Sequence, residues 1–198
     1  MSELQEIARQ IHSCVDCRLS EGRTLAVPGE GPEHADLMFI GEGPGYNEDQ
    51  QGRPFIGAAG QLLEQLLASI GLTRDKVYIT NMVKCRPPNN RDPYPGEIAA
   101  CGKYLDRQIP LVKPKVIVTL GRHSLAKFLP GETISKVRGK YRRLSGFIMF
   151  PTYHPAAVLR QPSLRRLIEE DFKAIAALLA EKATPPPEET SSQQLSMF

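Results

Sequence analysis

No stretch of the chain approaches the roughly 18 consecutive apolar residues that a membrane-spanning helix requires, so no bilayer-crossing segment is expected. The N-terminal run MSELQEIARQIHSC carries acidic and basic residues at helical spacing but no apolar centre, and reads as neither a signal peptide nor a membrane anchor. Internal repeats are missing too. These absences point to a cytoplasmic, intracellular protein, where cysteines serve as thiols or metal ligands before they serve as disulfides. Excess charge of one sign is also scarce. A formal net charge of +3 does not by itself define a nucleic-acid-binding protein. Arg138, Lys140, Arg142, Arg143, Arg160, Arg165 and Arg166 nevertheless gather in the C-terminal half, as a basic face or as an ordinary solvated surface.

What the chain does have is length for one compact domain with a real core, 198 residues in all. Apolar runs read against turn signals predict a helix over Glu3–His12 and a strand over Asp36–Ile40 that enters the turn Gly41-Glu-Gly-Pro-Gly45. A leucine-rich helix over Gly60–Ile70 stops at Gly71, and a strand over Val77–Thr80 delivers Asn81. A Pro- and Asn-rich loop, Arg86–Pro95, leads to a helix over Gly96–Gln108. Strands over Val116–Leu120 and Phe147–Pro151 follow, ending in Gly121 and in Thr152-Tyr-His-Pro155.

Strands alternating with helices predict a three-layer α/β/α fold around a mostly parallel, four-stranded sheet with right-handed crossovers. Residues 1–181 form the expected domain. Residues 182–198, including the stretch Pro185–Ser192, read as a disordered linker and tail. In open parallel sheets ligands bind beyond the C-terminal strand ends. Glu42, Gly43, Asn81, Gly121 and His154 all fall there, so one pocket can collect them.

Cys14-x-x-Cys17 fits a redox pair, half of a zinc site or half of a cluster site. Cys85 and Cys101 complete four thiols, a set that suits tetrahedral zinc or a four-iron cluster. One close pair with two single cysteines leans toward iron–sulfur without deciding it. Either metal would tie the N-terminal helix to the loop after the second strand.

The Gly41–Gly45 turn alone fits a phosphate loop or a plain tight turn, though it lacks the Lys-Ser/Thr ending of a P-loop. Continued by Tyr46–Asp49 and Gly52–Gly57, it resembles the first active-site motif of the family 4 uracil-DNA glycosylases. The resemblance extends through Asn81–Arg91, Cys101, Leu120-Gly121, Lys136–Gly139 and Pro151–Pro155, in order and with all four cysteines. It implies a glycosylase that hydrolyses the N-glycosidic bond of uracil in single- or double-stranded DNA, leaving an abasic site. It also implies a 4Fe-4S cluster held by Cys14, Cys17, Cys85 and Cys101.

Such an enzyme must flip the nucleotide out and read it in a fitted pocket. On this resemblance Phe55 is the stacking floor, where the residue alone would sooner be read as core. Asn81 meets uracil O4 and N3–H, although a strand-end turn residue is its plain alternative. Glu48 crowds C5, and Gly43 backbone N–H binds a uracil carbonyl. Glu42 holds the attacking water, and His154 donates to uracil O2, though a lone histidine is usually structural. Arg138, Val158, Leu159 and Arg160 face DNA, with Val158 and Leu159 as wedges and Arg160 on phosphate.

The sequence departs from the better-known glycosylase pattern at Gly43, where an aspartate is usual. This departure argues for a dissociative route with weakly activated water. Tyr46 and Asn47 also stand where acidic residues are frequent.

The terminal Gln194, Leu195, Met197 and Phe198 resemble a bacterial sliding-clamp peptide, against an arbitrary tail as the alternative. A monomer associated with the bacterial nucleoid is expected. The competing readings are a non-catalytic iron–sulfur DNA-binding module and a relative acting on other deaminated bases.

Overall fold

The computed structural model describes residues 2–181, so the tail with its clamp-like peptide lies outside the described residues. Helix α1 (Glu3–Ser13) starts at a reciprocal cap in which Ser2 Oγ accepts from Gln5 N–H and the Gln5 side chain accepts from Ser2 N–H. It buries Ile7 and Ile11. Then come β1 (Leu37–Gly41), α2 (Tyr46–Gln51), α3 (Ala58–Ser69), β2 (Tyr78–Asn81) and α4 (Pro95–Val112). The second half holds β3 (Val116–Leu120), α5 (Arg122–Phe128), α6 (Ile134–Val137), β4 (Arg142–Leu144), β5 (Phe147–Thr152), α7 (Pro155–Arg160) and α8 (Arg165–Ala180). Among the described residues no helix is long and apolar enough to cross a membrane.

The sheet has five strands in the order β2-β1-β3-β5-β4, against the four expected. The first four are mutually parallel, and β4 pairs antiparallel with β5 at the edge. The extra strand is three residues long and largely exposed, so it carries no apolar alternation to read.

Strands buried on both faces divide their side chains by parity. Phe39, Val118 and Phe150 face the leucines of α3 and Phe172 and Ile175 of α8. The Phe39 and Phe172 rings stack with centroids 5.7 Å apart. Met38, Ile40 and Ile117 face the other way, onto Leu105 and Val112 of α4. A separate cluster joins Ile7, Ile11, Leu19 and Tyr104 to the cysteines.

Two consequences of this topology position the site. The parallel strands all end on one side, where Gly41, Asn81, Leu120 and Thr152 stand in a row. The outer edge of β2 is covered by the segment leading from the cysteines, through an antiparallel bridge between Glu30 and Ile79. Its two backbone hydrogen bonds are 2.9 and 2.8 Å long.

Candidate active site

Beyond the strand ends lies a cavity of about 590 Å³, lined by Glu42, Gly43, Glu48, Phe55, Asn81 and His154 among others. The structure thus brings together the pocket residues expected from sequence. Asn81 closes β2 at 1 % exposure, and its Oδ1 is a buried polar atom with no hydrogen-bond partner. Leaving such an acceptor unmet costs about 1–3 kcal/mol. Asn81 thus borders the cavity with an acceptor that no protein donor meets. Gly41 makes this possible, because a Cβ there would stand 2.4 Å from Asn81 Oδ1 and 2.6 Å from Phe55 Cζ.

Phe55 holds a left-handed backbone, φ +51°, which a bulky residue adopts only when its surroundings impose it. Two clamps do so. Glu48 Oε1 accepts from Ile56 N–H at 2.9 Å and Gly57 N–H at 2.8 Å, while Oε2 accepts from Gly45 N–H at 3.1 Å. Arg74 donates to Phe55 O at 2.7 Å and to Pro54 O, and its Nε bonds Glu30 at 2.8 Å. Hydrogen bonds from Arg53 and Arg74 hold the Glu30 carboxyl down to about 2. On the far side Gly60 passes so close that a Cβ would lie 1.8 Å from Phe55 O.

Arg74 and Glu30 escape sequence reading because they act on Phe55 from 19 and more residues away, without a motif of their own. Replacing Glu48 with alanine strips the acceptors from three backbone donors. A loss of about 2–4 kcal/mol is expected in chemical denaturation, with faster amide exchange at Ile56 and Gly57. Unchanged exchange would show that Glu48 does not hold the loop.

His154 caps α7, and its Nδ1 accepts from Ala156 N–H at 3.1 Å. Burial pushes its pKa down to about 4, with the nearby Arg160 charge adding to the effect. The ring is therefore neutral at physiological pH. With Nδ1 occupied as an acceptor, the single proton sits on Nε2. The Phe55 and His154 rings lie 5.4 Å apart, tilted by 31°.

Behind His154, Thr152 Oγ1 donates to Asp171 at 2.6 Å. Asp171 in turn binds Arg138 at 2.6 Å, so the Arg138 side chain points inward and is 19 % exposed. Val158 likewise belongs to the core at 3 % exposure, whereas Leu159 is 49 % exposed. Gly43 has Val83 as its neighbour, and a Cβ at 43 would stand 2.8 Å from Val83 Cγ2.

Glu42 sits at the cavity mouth with partners that sequence reading missed. His123 Nε2 lies 3.6 Å from Glu42 and 3.5 Å from Asp92, and Arg122 pairs with Asp92. Burial raises the Glu42 pKa, partly opposed by His123. All four residues stand in helix starts or loops, where no periodicity points to them.

Away from this pocket, Cys14, Cys17, Cys85 and Cys101 line a second cavity with Ile11, Arg23, Lys84 and Tyr104. Cys85 and Cys101 are buried, and burial pushes the Cys101 thiol up to about 11. Lys84 N–H and Arg23 Nη1 each donate to a sulfur at 3.2 Å, on Cys101 and Cys85 respectively. An all-sulfur donor set with N–H donors to the sulfurs fits a thiophilic metal group. The fully buried Lys84 Nζ ties this wall to the other pocket, bonding Thr80 Oγ1, Asn81 O and Gln108 Oε1 within 2.9 Å.

An open, mostly parallel sheet with a polar-lined pocket at its carboxyl end defines a class of α/β proteins that bind a ligand at their strand ends. The chain belongs to the Uracil DNA glycosylase superfamily, which it matches over residues 28–180. It is 56 % identical to the Type-4 uracil-DNA glycosylase of Sulfurisphaera tokodaii, covering 90 % of this chain and 86 % of that one. It is 50 % identical to the Type-4 enzyme of Saccharolobus solfataricus, over 92 % of this chain and 89 % of that one. The Type-4 enzyme of Archaeoglobus fulgidus is also 50 % identical, with coverage of 92 % and 96 %.

Proposed function

We infer that this protein is a DNA repair glycosylase that removes uracil from DNA by hydrolysing its N-glycosidic bond. The observation that carries the reading is the buried, unpartnered Oδ1 of Asn81 in a pocket that also presents a neutral histidine donor. Uracil offers N3–H to Oδ1 and O4 to the Asn81 amide N–H. Cytosine presents the opposite pattern at both positions, and a site built around buried polar groups rejects such a mismatch strongly.

A base inside the helical stack cannot reach this cavity, so the nucleotide enters flipped. Its ring stacks on Phe55, which the two clamps hold ready. Glu48, fixed by three backbone N–H groups, forms an immobile wall beside C5. Gly43 N–H meets a carbonyl.

As the bond to the sugar breaks, negative charge gathers on the leaving uracil. The His154 Nε2–H donates to O2 as that charge develops. Neutral imidazole suits this role, because it donates without surrendering its proton. Glu42 holds the attacking water, and its raised pKa makes it a better base than an ordinary carboxylate. With Val83 filling the space beside Gly43, the chain supports the dissociative order of events. Leu159 and Arg160 form the wedge and the phosphate contact, while Val158 and Arg138 belong to the scaffold beneath them.

The four cysteines are proposed to hold a 4Fe-4S cluster, which when bound braces the loop after Asn81 and takes no part in bond breaking. The pure protein is expected to be brown, with broad absorption near about 400 nm. A colourless protein containing zinc would overturn this assignment. Gln194, Leu195, Met197 and Phe198 are proposed to contact a sliding clamp on sequence pattern alone. The enzyme is proposed to act as a monomer in the cytoplasm, at the nucleoid.

Incubation with uracil-containing single- and double-stranded oligonucleotides, followed by alkali, tests the main reading. Strand scission at the uracil position is expected. Its absence would leave a non-catalytic DNA-binding module as the better account.

A further inference from the structure

Tyr46 is a large aromatic side chain left 58 % exposed, at the first turn of α2. Exposed aromatics are ordinary when scattered, but this one lines the mouth of the uracil-binding cavity, together with Asn90 and Arg91. It is also fixed from outside. The Arg86 guanidinium lies over the ring with its carbon 5.1 Å from the centroid, and Arg86 Nε donates to Asn90 Oδ1 at 2.7 Å. Asn90 itself holds a left-handed backbone, φ +54°, inside a turn anchored by its N–H to Pro87 O at 3.0 Å. The assembly Asn90–Arg86–Tyr46 is a prebuilt stack whose free aromatic surface borders the opening through which the target nucleotide must pass.

We propose that Tyr46, backed by Arg86, is a stacking seat for the DNA base next to the flipped uracil. This rests on the uracil reading and adds a second base subsite to it. Any base presents a π-face, so such a seat tolerates every sequence. A flipped nucleotide deprives its neighbour of one stacking partner, and an aromatic surface at the rim replaces what was lost. The cation on the ring restrains it before DNA arrives, so little side-chain freedom is lost on binding. The seat matters most on single strands, where no complementary strand holds the neighbour in place.

The test is a double-mutant cycle between protein and DNA, read by fluorescence anisotropy. The probe is a single-stranded oligonucleotide carrying 2′-fluoro-deoxyuridine, which resists excision. In one set the flanking nucleotides are normal; in two others the 5′ or the 3′ neighbour is replaced by a baseless tetrahydrofuran residue. Tyr46→Ala is expected to weaken binding about tenfold with normal flanks. On one of the baseless probes wild type and Tyr46→Ala are expected to bind equally, while Tyr46→Phe stays within about twofold of wild type throughout.

Additive losses on both baseless probes, or unaltered binding by Tyr46→Ala with normal flanks, would overturn the seat. Failure of the wild-type protein to excise uracil would count against the uracil reading alone, since the anisotropy cycle does not depend on excision.

Discussion

Asn81→Ala is expected to cut uracil excision by about three orders of magnitude or more while leaving the protein at least as stable as before. Both halves follow from one atom. Oδ1 is buried without a protein partner, so no side-chain hydrogen bond of that oxygen is lost when alanine replaces it. Alanine would therefore remove the proposed base reader without breaking a side-chain hydrogen bond of the fold. The backbone carbonyl of residue 81, which accepts from Lys84 Nζ at 2.9 Å, is untouched, so β2 and the cysteine-lined wall keep their connection. Parallel measurements of single-turnover excision and of the denaturation midpoint check the pair. A variant that loses activity only because it unfolds would refute the claim.

His154→Ala is expected to lower excision about 10²- to 10³-fold, the usual effect of removing one donor to a developing anion. The pH dependence distinguishes a neutral donor from a cationic one. Burial depresses the His154 pKa to about 4, so the imidazole stays neutral across the working range and titrates only near the acid end. The wild-type excision profile is therefore expected to show no step from His154 between about pH 5.5 and 8. A rate that climbs as pH falls through about 6.5 would mean that the cation is the active form.

The same depression has a stability consequence with a definite sign. Between about pH 6.5 and 4 the unfolded chain takes up a proton on this histidine that the folded one refuses. Stability therefore falls as pH drops through that window, and the loss should be smaller in His154→Ala.

Much of this site is legible in the sequence because it is written locally. Apolar runs broken by Gly41, Asn81, Gly121 and the Thr152–Pro155 segment announce buried strands and what stands at their ends. In a parallel sheet those ends share one side. Other parts depend on contacts between distant segments, and no period encodes them. Arg74 reaching Phe55, Asp171 turning Arg138 inward and His123 approaching Glu42 are of this kind. Val158 and Leu159 are adjacent apolar residues of similar type. Only the rotation of α7 on the core decides that Val158 is packed away and Leu159 is left outside. Strand β4 is invisible for a different reason: it is three residues long and two of them are exposed arginines, so pairing alone makes it a strand.

The strip of chain laid along the outer edge of β2 also bears on solubility. That edge belongs to the strand ending in Asn81, and the bridge between Glu30 and Ile79 occupies backbone groups there that would otherwise invite another strand. The strip is fastened upstream by the segment bearing Cys14 and Cys17 and by the Val27 N–H, which donates to Lys84 O at 2.7 Å. Loosening the cysteine wall thus unfastens the cover of a β-edge as well as the support of a loop. If the four cysteines hold the proposed metal group, its removal would also expose β2 to self-association, and precipitation is expected to accompany any loss of activity.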